Sequence, residues 1–152
     1  MKVLEFLDTS SINLDVKSSS KPDVIAELCE LLQSNGKIND LTKVIAALME
    51  REKLGSTGIG QGVAIPHGKS EATPTLVGAL GISRKGVQFD SLDGEPVHVI
   101  FMLVAPDDGS GQHLKALARV SRLLKDKFFR QAIKEAKLPS DIEKIIREED
   151  EY

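Results

Sequence analysis

The chain reads as one α/β domain with helices packed on a β-sheet, and three observations predict this. Its 152 residues match the size of a single domain. Apolar residues at helical spacing occupy two stretches near the N-terminus and most of the C-terminal third. Between them lie short apolar runs bounded by glycine and proline. One of these, Val97 to Val104, is apolar at nearly every position, as a strand covered on both faces requires.

The elements follow in order. The residues through Phe6 and Leu7 are ambiguous, and Ile12, Leu14 and Val16 then alternate with Asn13 and Asp15 at the period of a half-buried strand. A Ser18-Ser19-Ser20 loop leads to Pro22, placed as a first helical residue, and Val24, Ile25, Leu28, Leu31 and Leu32 keep helical spacing until Asn35-Gly36. Asp40 caps a second helix with Leu41, Val44, Ile45, Leu48 and Met49 on one face, failing between Glu52 and Gly55. The triplet Val63-Ala64-Ile65 predicts a strand ended by Pro66. Residues 75–82 and 97–104 predict two more, with Asp93-Gly94 as a turn between them. From Ser110 the chain turns helical, with Leu114, Leu117, Ala118, Ser121 and Leu124 expected on one face and Lys115, Arg119 and Arg122 on the solvated face opposite. A break near Asp126 precedes Phe128, Phe129, Ala132, Ile133 and Ala136, a helix that Pro139 ends. Ser140-Asp141-Ile142-Glu143 has the spacing of a capping box for a last helix, and the tail Glu148-Glu149-Asp150-Glu151 reads as a solvated acidic end.

Composition excludes several classes of function. With 41% hydrophobic and 28% charged residues the chain can build a sizeable core. At this length it buries roughly 70% of its unfolded surface, so it needs neither disulfides nor a structural metal. Twenty basic and 23 acidic side chains leave a net charge of −3, which gives no global pull toward nucleic acid or an anionic membrane. The single cysteine, Cys29, cannot form an internal disulfide and fits a reducing cytoplasm. No run approaches the roughly 20 apolar residues of a membrane span, and the N-terminus lacks the pattern of a signal peptide. No tryptophan and one tyrosine leave few platforms for stacking bases or sugars.

The chemistry concentrates between residues 51 and 68. Glycines 55, 58, 60 and 62 suit either a flexible connection or a loop whose backbone N–H groups face an anion. The segment leads into a strand, so it is not a dinucleotide fingerprint, and no Gly-Lys-Ser/Thr makes it a P-loop. His67, between Pro66 and Gly68 at a strand end, can serve as nucleophile, general base or metal ligand. His113 falls in the first turn of a helix for which Ser110 would be the cap, where the dipole disfavours imidazolium and favours a nearby anion. Helical geometry sets it on the inward edge beside Leu117, Val120 and Leu124. Arg51 is either a cation suited to a helix C-terminus or a planar fork for a phosphate near the glycine loop. His98 lies in an apolar strand and reads as structural. A metal site from His67, His98 and His113 with Asp107 or Asp108 has no supporting spacing, a hydrolase has no G-x-S-x-G elbow, and Cys29 has no histidine to pair with.

Gly62-Val63-Ala64-Ile65-Pro66-His67-Gly68, preceded by Met49-Glu50-Arg51-Glu52 and Leu54-Gly55-Ser56-Thr57-Gly58-Ile59-Gly60, closely resembles the phosphorylation-site region of the enzyme IIA components of the bacterial phosphotransferase system. The type is that of mannitol and fructose, which includes the nitrogen-regulatory IIA proteins. The resemblance extends over the Ile12–Val16 segment, both early helices, Gly86 to Gly94, the long strand and the His113-Leu114 helix start. It implies a mixed β-sheet flanked by helices. It also implies that His67 is the phosphorylated histidine, by Nε2, that Arg51 stands close to the site and that His113 assists it. Gln61 departs mildly from relatives that carry Asn or Glu there.

The expected function is a phosphoryl carrier of the phosphoenolpyruvate-dependent sugar phosphotransferase system. Phosphate would come from the phosphohistidine carrier protein and pass to a IIB component. The alternative is a regulatory protein whose phosphorylation state controls its binding to partners. Such a relay needs no nucleotide, cofactor or metal, no nucleic acid and no direct membrane insertion. N–H groups of the loop, with Gly60, Gly62 and Gly68 as candidates, would help Arg51 to hold the phosphate. The sequence contains no IIB-like segment, so the acceptor is expected in trans.

Overall fold

A computed structural model describes residues 1–108 and 110–150. Two 3-10 turns, Val3–Glu5 and Thr9–Ser11, open the chain and bury Val3 and Leu7. Strand β1 follows at Ile12–Asn13, then helices α1 (Lys21–Ser34) and α2 (Leu41–Lys53). Four strands come next: β2 (Gly58–Gly60), β3 (Val63–Ala64), β4 (His67–Lys69) and β5 (Val77–Val87). Strand β6 (Val97–Ala105) precedes α3 (Ser110–Lys125), α4 (Lys127–Glu135) and α5 (Pro139–Glu149). No helix among the described residues is long and apolar enough to cross a membrane.

The six strands form one mixed sheet in the order β1-β5-β6-β3-β2, with β4 also on β6. Strands β5 and β6 are antiparallel, β1 runs parallel to β5, and β2 closes an antiparallel hairpin with β3. Strands β3 and β4 lie one after the other along the same edge of β6, both parallel to it. Pro66 therefore interrupts this edge rather than ending it. It lacks an N–H, but its carbonyl still accepts from Leu103 at 3.0 Å.

Alternate residues of β6 feed two cores, as the unbroken apolar run of this strand predicts. Val99, Phe101, Leu103 and Ala105 face the 3-10 turns, α3, α4 and α5. Ile100, Met102 and Val104 face α1 and α2. Helix α1 is capped by Ser20, and Gly36 follows its end at φ 72°. Asp40 caps α2 through the Lys43 N–H.

Several expectations give way to tertiary packing. Only Ile12–Asn13 of the first alternating segment is strand, because side chains take the Asp15, Lys17 and Ser18 donors and only the Val16 N–H still reaches β5, at the Ile82 carbonyl. Asn13 Oδ1 accepts the Asp15 N–H at 2.9 Å, and the Glu27 carboxylate accepts those of Lys17 and Ser18. Helix α3 turns His113, Ala116, Val120, Leu123 and Leu124 inward, while Leu114 and Ala118 face solvent. Ser110 is its first helical residue; the side chain that was to cap it lies outside the described residues. Helix α4 stops at Glu135, before Pro139, which opens α5 instead. The α5 cap also lies upstream of the expected box, with Asp141 Oδ2 accepting the Leu138 N–H at 3.1 Å. Asp150 is not a solvated tail residue: it is 2% exposed, accepts the Val3 N–H at 2.6 Å and pairs with Arg119 and Arg122. Arg119 accordingly leaves the solvated face. Glu151 lies outside the described residues.

Candidate functional site

The site assembles where the end of α2, the β2–β3 hairpin, the start of β4 and the first turn of α3 converge. Gly68 lies against α2, where even a Cβ would stand at an ordinary van der Waals distance of 3.4 Å from the Ala47 backbone, so α2 and β4 are in contact directly beside His67. The register of β4 sets His67 opposite Leu103 of β6, and α3 packs across that strand with His113 directed inward. The two imidazoles meet edge to face, with ring centroids 5.3 Å apart and planes at 79°.

His67 is half-buried, and its Nδ1 lies 2.7 Å from the Ile65 carbonyl. A carbonyl only accepts, so Nδ1 carries the proton and Nε2 is left with its lone pair in the neutral ring. Burial pushes the His67 imidazole below its ordinary value. The Ile65 carbonyl opposes that shift, the Arg51 charge adds to it, and the Glu52 carboxylate opposes it. His113 is 6% exposed and pushed down to about 4, first by burial and then by the charges of His67 and Lys69. Its Nε2 is buried with no hydrogen-bond partner among the described residues. At neutral pH the site therefore presents two uncharged imidazoles and a permanent cation.

That cation, Arg51, stands in the last turn of α2 and donates from Nη1 to the Gly55 carbonyl at 2.8 Å. This bond keeps its guanidinium over the glycine-rich turn. Sequence reasoning missed the buried carboxylate next to it in the chain. Glu52 is buried, accepts the Thr57 N–H at 3.2 Å and the Thr57 hydroxyl, and pairs with Lys21 Nζ at 3.1 Å. The available signal was spacing: Glu52 follows Val44 and Leu48 at intervals of four, on the buried stripe of α2.

The remaining predicted residues have visible local roles. Gly60 at φ 97° and Gly62 at φ 79° flank the tight Gln61 turn of the hairpin, and the Gly62 carbonyl accepts from His98 and Val99. The Gln61 N–H is taken by Asp93 Oδ2 at 3.0 Å. His98 Nδ1 faces the Ser83 carbonyl at 2.8 Å, away from the His67–His113 pair. Cys29 packs against Met102, its thiol pushed up to about 12 by burial. Among the described residues, no group of three histidine, cysteine or acidic side chains is placed to hold a metal ion.

Comparison with known proteins shows the family and the fold. The family model of the phosphoenolpyruvate-dependent sugar phosphotransferase system, EIIA 2, matches residues 5–149. The chain is 39% identical over 150 residues to the PTS system fructose-specific EIIABC component of Bacillus subtilis (strain 168), which covers 99% of the chain but only 24% of that longer protein. It is 38% identical to the nitrogen regulatory protein of Bradyrhizobium diazoefficiens, covering 76% of the chain and 72% of that protein. The crystal structure of nitrogen regulatory protein IIA-Ntr from Neisseria meningitidis superposes with a TM-score of 0.87 at 36% identity, covering 93% of this chain and 97% of that one. The complex of enzyme IIAMTL with phosphorylated enzyme IIBMTL from Escherichia coli shares the fold, at TM-score 0.79 and 18% identity over 94% of this chain and 99% of the other. A family match over almost the whole length, joined to a histidine pair on a mixed six-stranded sheet, places this chain in the EIIA 2 family of the sugar phosphotransferase system.

Proposed function

We propose that the protein is a phosphocarrier that accepts a phosphoryl group on His67 Nε2 from the phosphohistidine carrier protein and passes it to a IIB component in the cytoplasm. The observation that carries this reading is the 2.7 Å contact between His67 Nδ1 and the Ile65 carbonyl, on an imidazole held neutral by burial. The Nε2 lone pair attacks phosphorus, an N–P bond forms on His67, and the N–P bond of the donor histidine breaks. The electron pair of that bond returns to the donor ring. His67 gains positive charge while Nδ1 keeps its proton, and the Ile65 carbonyl stabilises it. No proton has to move in the step. Catalysis is then positioning and charge stabilisation.

The phosphoryl group brings roughly two negative charges to the site. Arg51 is the permanent counter-charge, and the Nε2 of His113, which has no partner among the described residues, would find an acceptor in a phosphoryl oxygen. Among the glycines, Gly68 adjoins the acceptor directly. Gly60 and Gly62 would contribute through the shape of the hairpin, since Asp93 already holds the Gln61 N–H between them.

The test is loading of the protein with the general phosphotransferase components and labelled phosphoenolpyruvate. Wild type is expected to incorporate label and His67→Ala none; equal incorporation removes the assignment. Transfer onward to an added IIB protein then reads the carrier role.

A second reading, a regulatory IIA protein whose phosphorylation state selects its binding partners, is favoured by the likeness to nitrogen regulatory proteins in both sequence and structure. Pull-downs with the loaded and unloaded protein separate the two readings. A partner that is not a IIB protein and is retained in one state alone supports regulation.

A further inference from the structure

Glu52 is an unexpected residue for its place. A carboxylate in the last turn of a helix opposes the macrodipole, and burial adds a desolvation cost. An apolar side chain would continue the Val44–Leu48 stripe without either penalty. The structure compensates Glu52 in full. Lys21 Nζ lies 3.1 Å away, itself 12% exposed in its side chain, and Thr57 donates both its N–H and its hydroxyl. Lys21 is held in turn by Asp90 at 3.4 Å and by the Phe89 ring, 5.1 Å from its centroid.

Two hydrogen-bonded paths leave this residue and end at the site. On the first, Thr57, fixed by the carboxylate, accepts the Ile65 N–H on its own carbonyl at 3.0 Å, and the Ile65 carbonyl meets His67 Nδ1 at 2.7 Å. On the second, the Glu52 carbonyl accepts the Gly55 N–H at 3.1 Å, and the Gly55 carbonyl accepts Arg51 Nη1 at 2.8 Å. One buried residue thus anchors both the carbonyl that selects the His67 tautomer and the turn that carries the partner of Arg51.

We propose that Glu52 is a positioning residue for phosphoryl transfer, its carboxylate holding the Ile65 carbonyl against His67 Nδ1 through Thr57. The proposal rests on the phosphocarrier reading of His67. Misplacing a reacting nitrogen by a fraction of an ångström costs rate rather than donor affinity, because docking surfaces are untouched.

Two variants of the full chain test it, Glu52→Gln and Thr57→Val. Glu52→Gln keeps an acceptor for the Thr57 N–H but loses the charge that pairs with Lys21. Thr57→Val removes the hydroxyl donor alone, and it carries the test if Glu52→Gln does not fold. Two quantities are read on folded protein: single-turnover loading against donor concentration, and the His67 tautomer ratio from nitrogen-15 shifts of the imidazole. For Glu52→Gln the maximal loading rate is expected to fall about tenfold or more with half-saturation unchanged, and His67 is expected to lose its single Nδ1–H tautomer. Thr57→Val is expected to move both readouts in the same direction by less. Unchanged rate and tautomer in the folded variants overturn the proposal. So does a slower rate with an unchanged tautomer, since the Ile65 path would then not be the cause. Failure of wild type itself to load would remove the phosphocarrier reading instead, because the tautomer ratio needs no phosphoryl donor.

Discussion

His67 and His113 stand edge to face with ring centroids 5.3 Å apart, although they are 46 positions apart in the chain, and a charge on His67 disfavours one on His113. Two imidazoles this close and this poorly hydrated cannot both be cationic at moderate cost. The pair stays neutral at pH 7, which keeps a nitrogen lone pair available for bond formation and leaves Arg51 as the fixed cation of the site.

Neutral burial of His113 makes stability depend on pH. Its folded value is depressed from 6.5 to about 4, so its contribution is complete above pH 6.5 and is lost as pH falls toward 4, when the unfolded chain binds a proton that the folded chain does not. The depressed value of His67 acts in the same direction. The full loss from His113 is on the order of 3 kcal/mol. Urea titrations are expected to show falling stability from pH 6.5 to 5, above the range where carboxylates dominate. His113→Gln is expected to flatten that slope; an unchanged slope would show that His113 is protonated in the native state.

Arg51→Ala is expected to slow loading of His67 by one to two orders of magnitude, roughly the worth of one charge-assisted contact to the transferring group. Stability should change by less than about 1 kcal/mol, since its bond to the Gly55 carbonyl is exposed to solvent. Arg51→Lys restores the charge without the planar fork and should recover only part of the rate. The same removal of charge should raise the His67 midpoint in a histidine NMR titration, because Arg51 lowers it.

Gly58 lies against Ser91. A Cβ at position 58 would stand 2.4 Å from Ser91 Oγ and 3.0 Å from its Cα, so Gly58→Ala must displace backbone as well as a side chain. The expected cost is about 1–3 kcal/mol by thermal or denaturant unfolding. The bond from the Leu92 N–H to the Gly58 carbonyl ties the same loop to the hairpin, so amide exchange at Leu92 should accelerate.

Asp150 closes the molecule by joining its two ends. It accepts the Val3 N–H and pairs with Arg119 and Arg122 of α3. Asp150→Ala removes a buried anion from beneath two guanidinium groups and leaves the Val3 N–H without its acceptor. It is expected to destabilise by about 3 kcal/mol in denaturant unfolding. A change under 0.5 kcal/mol would mean that the termini are not held together in solution.

Much of the fold was legible because its signals are local. Ser20 and Asp40 stand at helix starts, Gly36 follows a helix end, and each acts on neighbours within four residues. The uniform apolarity of β6 announced two covered faces. The glycine-rich run leading into Ile65-Pro66-His67 pointed to the site for the same reason. The inward face of α3 was legible in part: helical geometry set His113 inward, as the structure has it, but hydrophobicity favoured Leu114, which the helix exposes. A functional site overrides the usual sorting of apolar and polar residues.

Composition, periodicity and one short motif by themselves determined a single α/β domain and most of its element boundaries, and singled out a histidine, an arginine and a glycine loop as candidates for holding an anion. Tertiary structure alone decided that β4 continues past Pro66 along β6, that the His113 ring meets that of His67 edge to face, that buried Glu52 pairs with Lys21, and that Asp150 reaches Val3 across 147 positions. The division follows from range. Caps, turns and helical stripes are settled by steric and hydrogen-bonding preferences within a few residues, which sequence spacing records. Buried charges and opposed rings are stabilised only by partners that close packing delivers from distant segments, and no local pattern records which partner arrives.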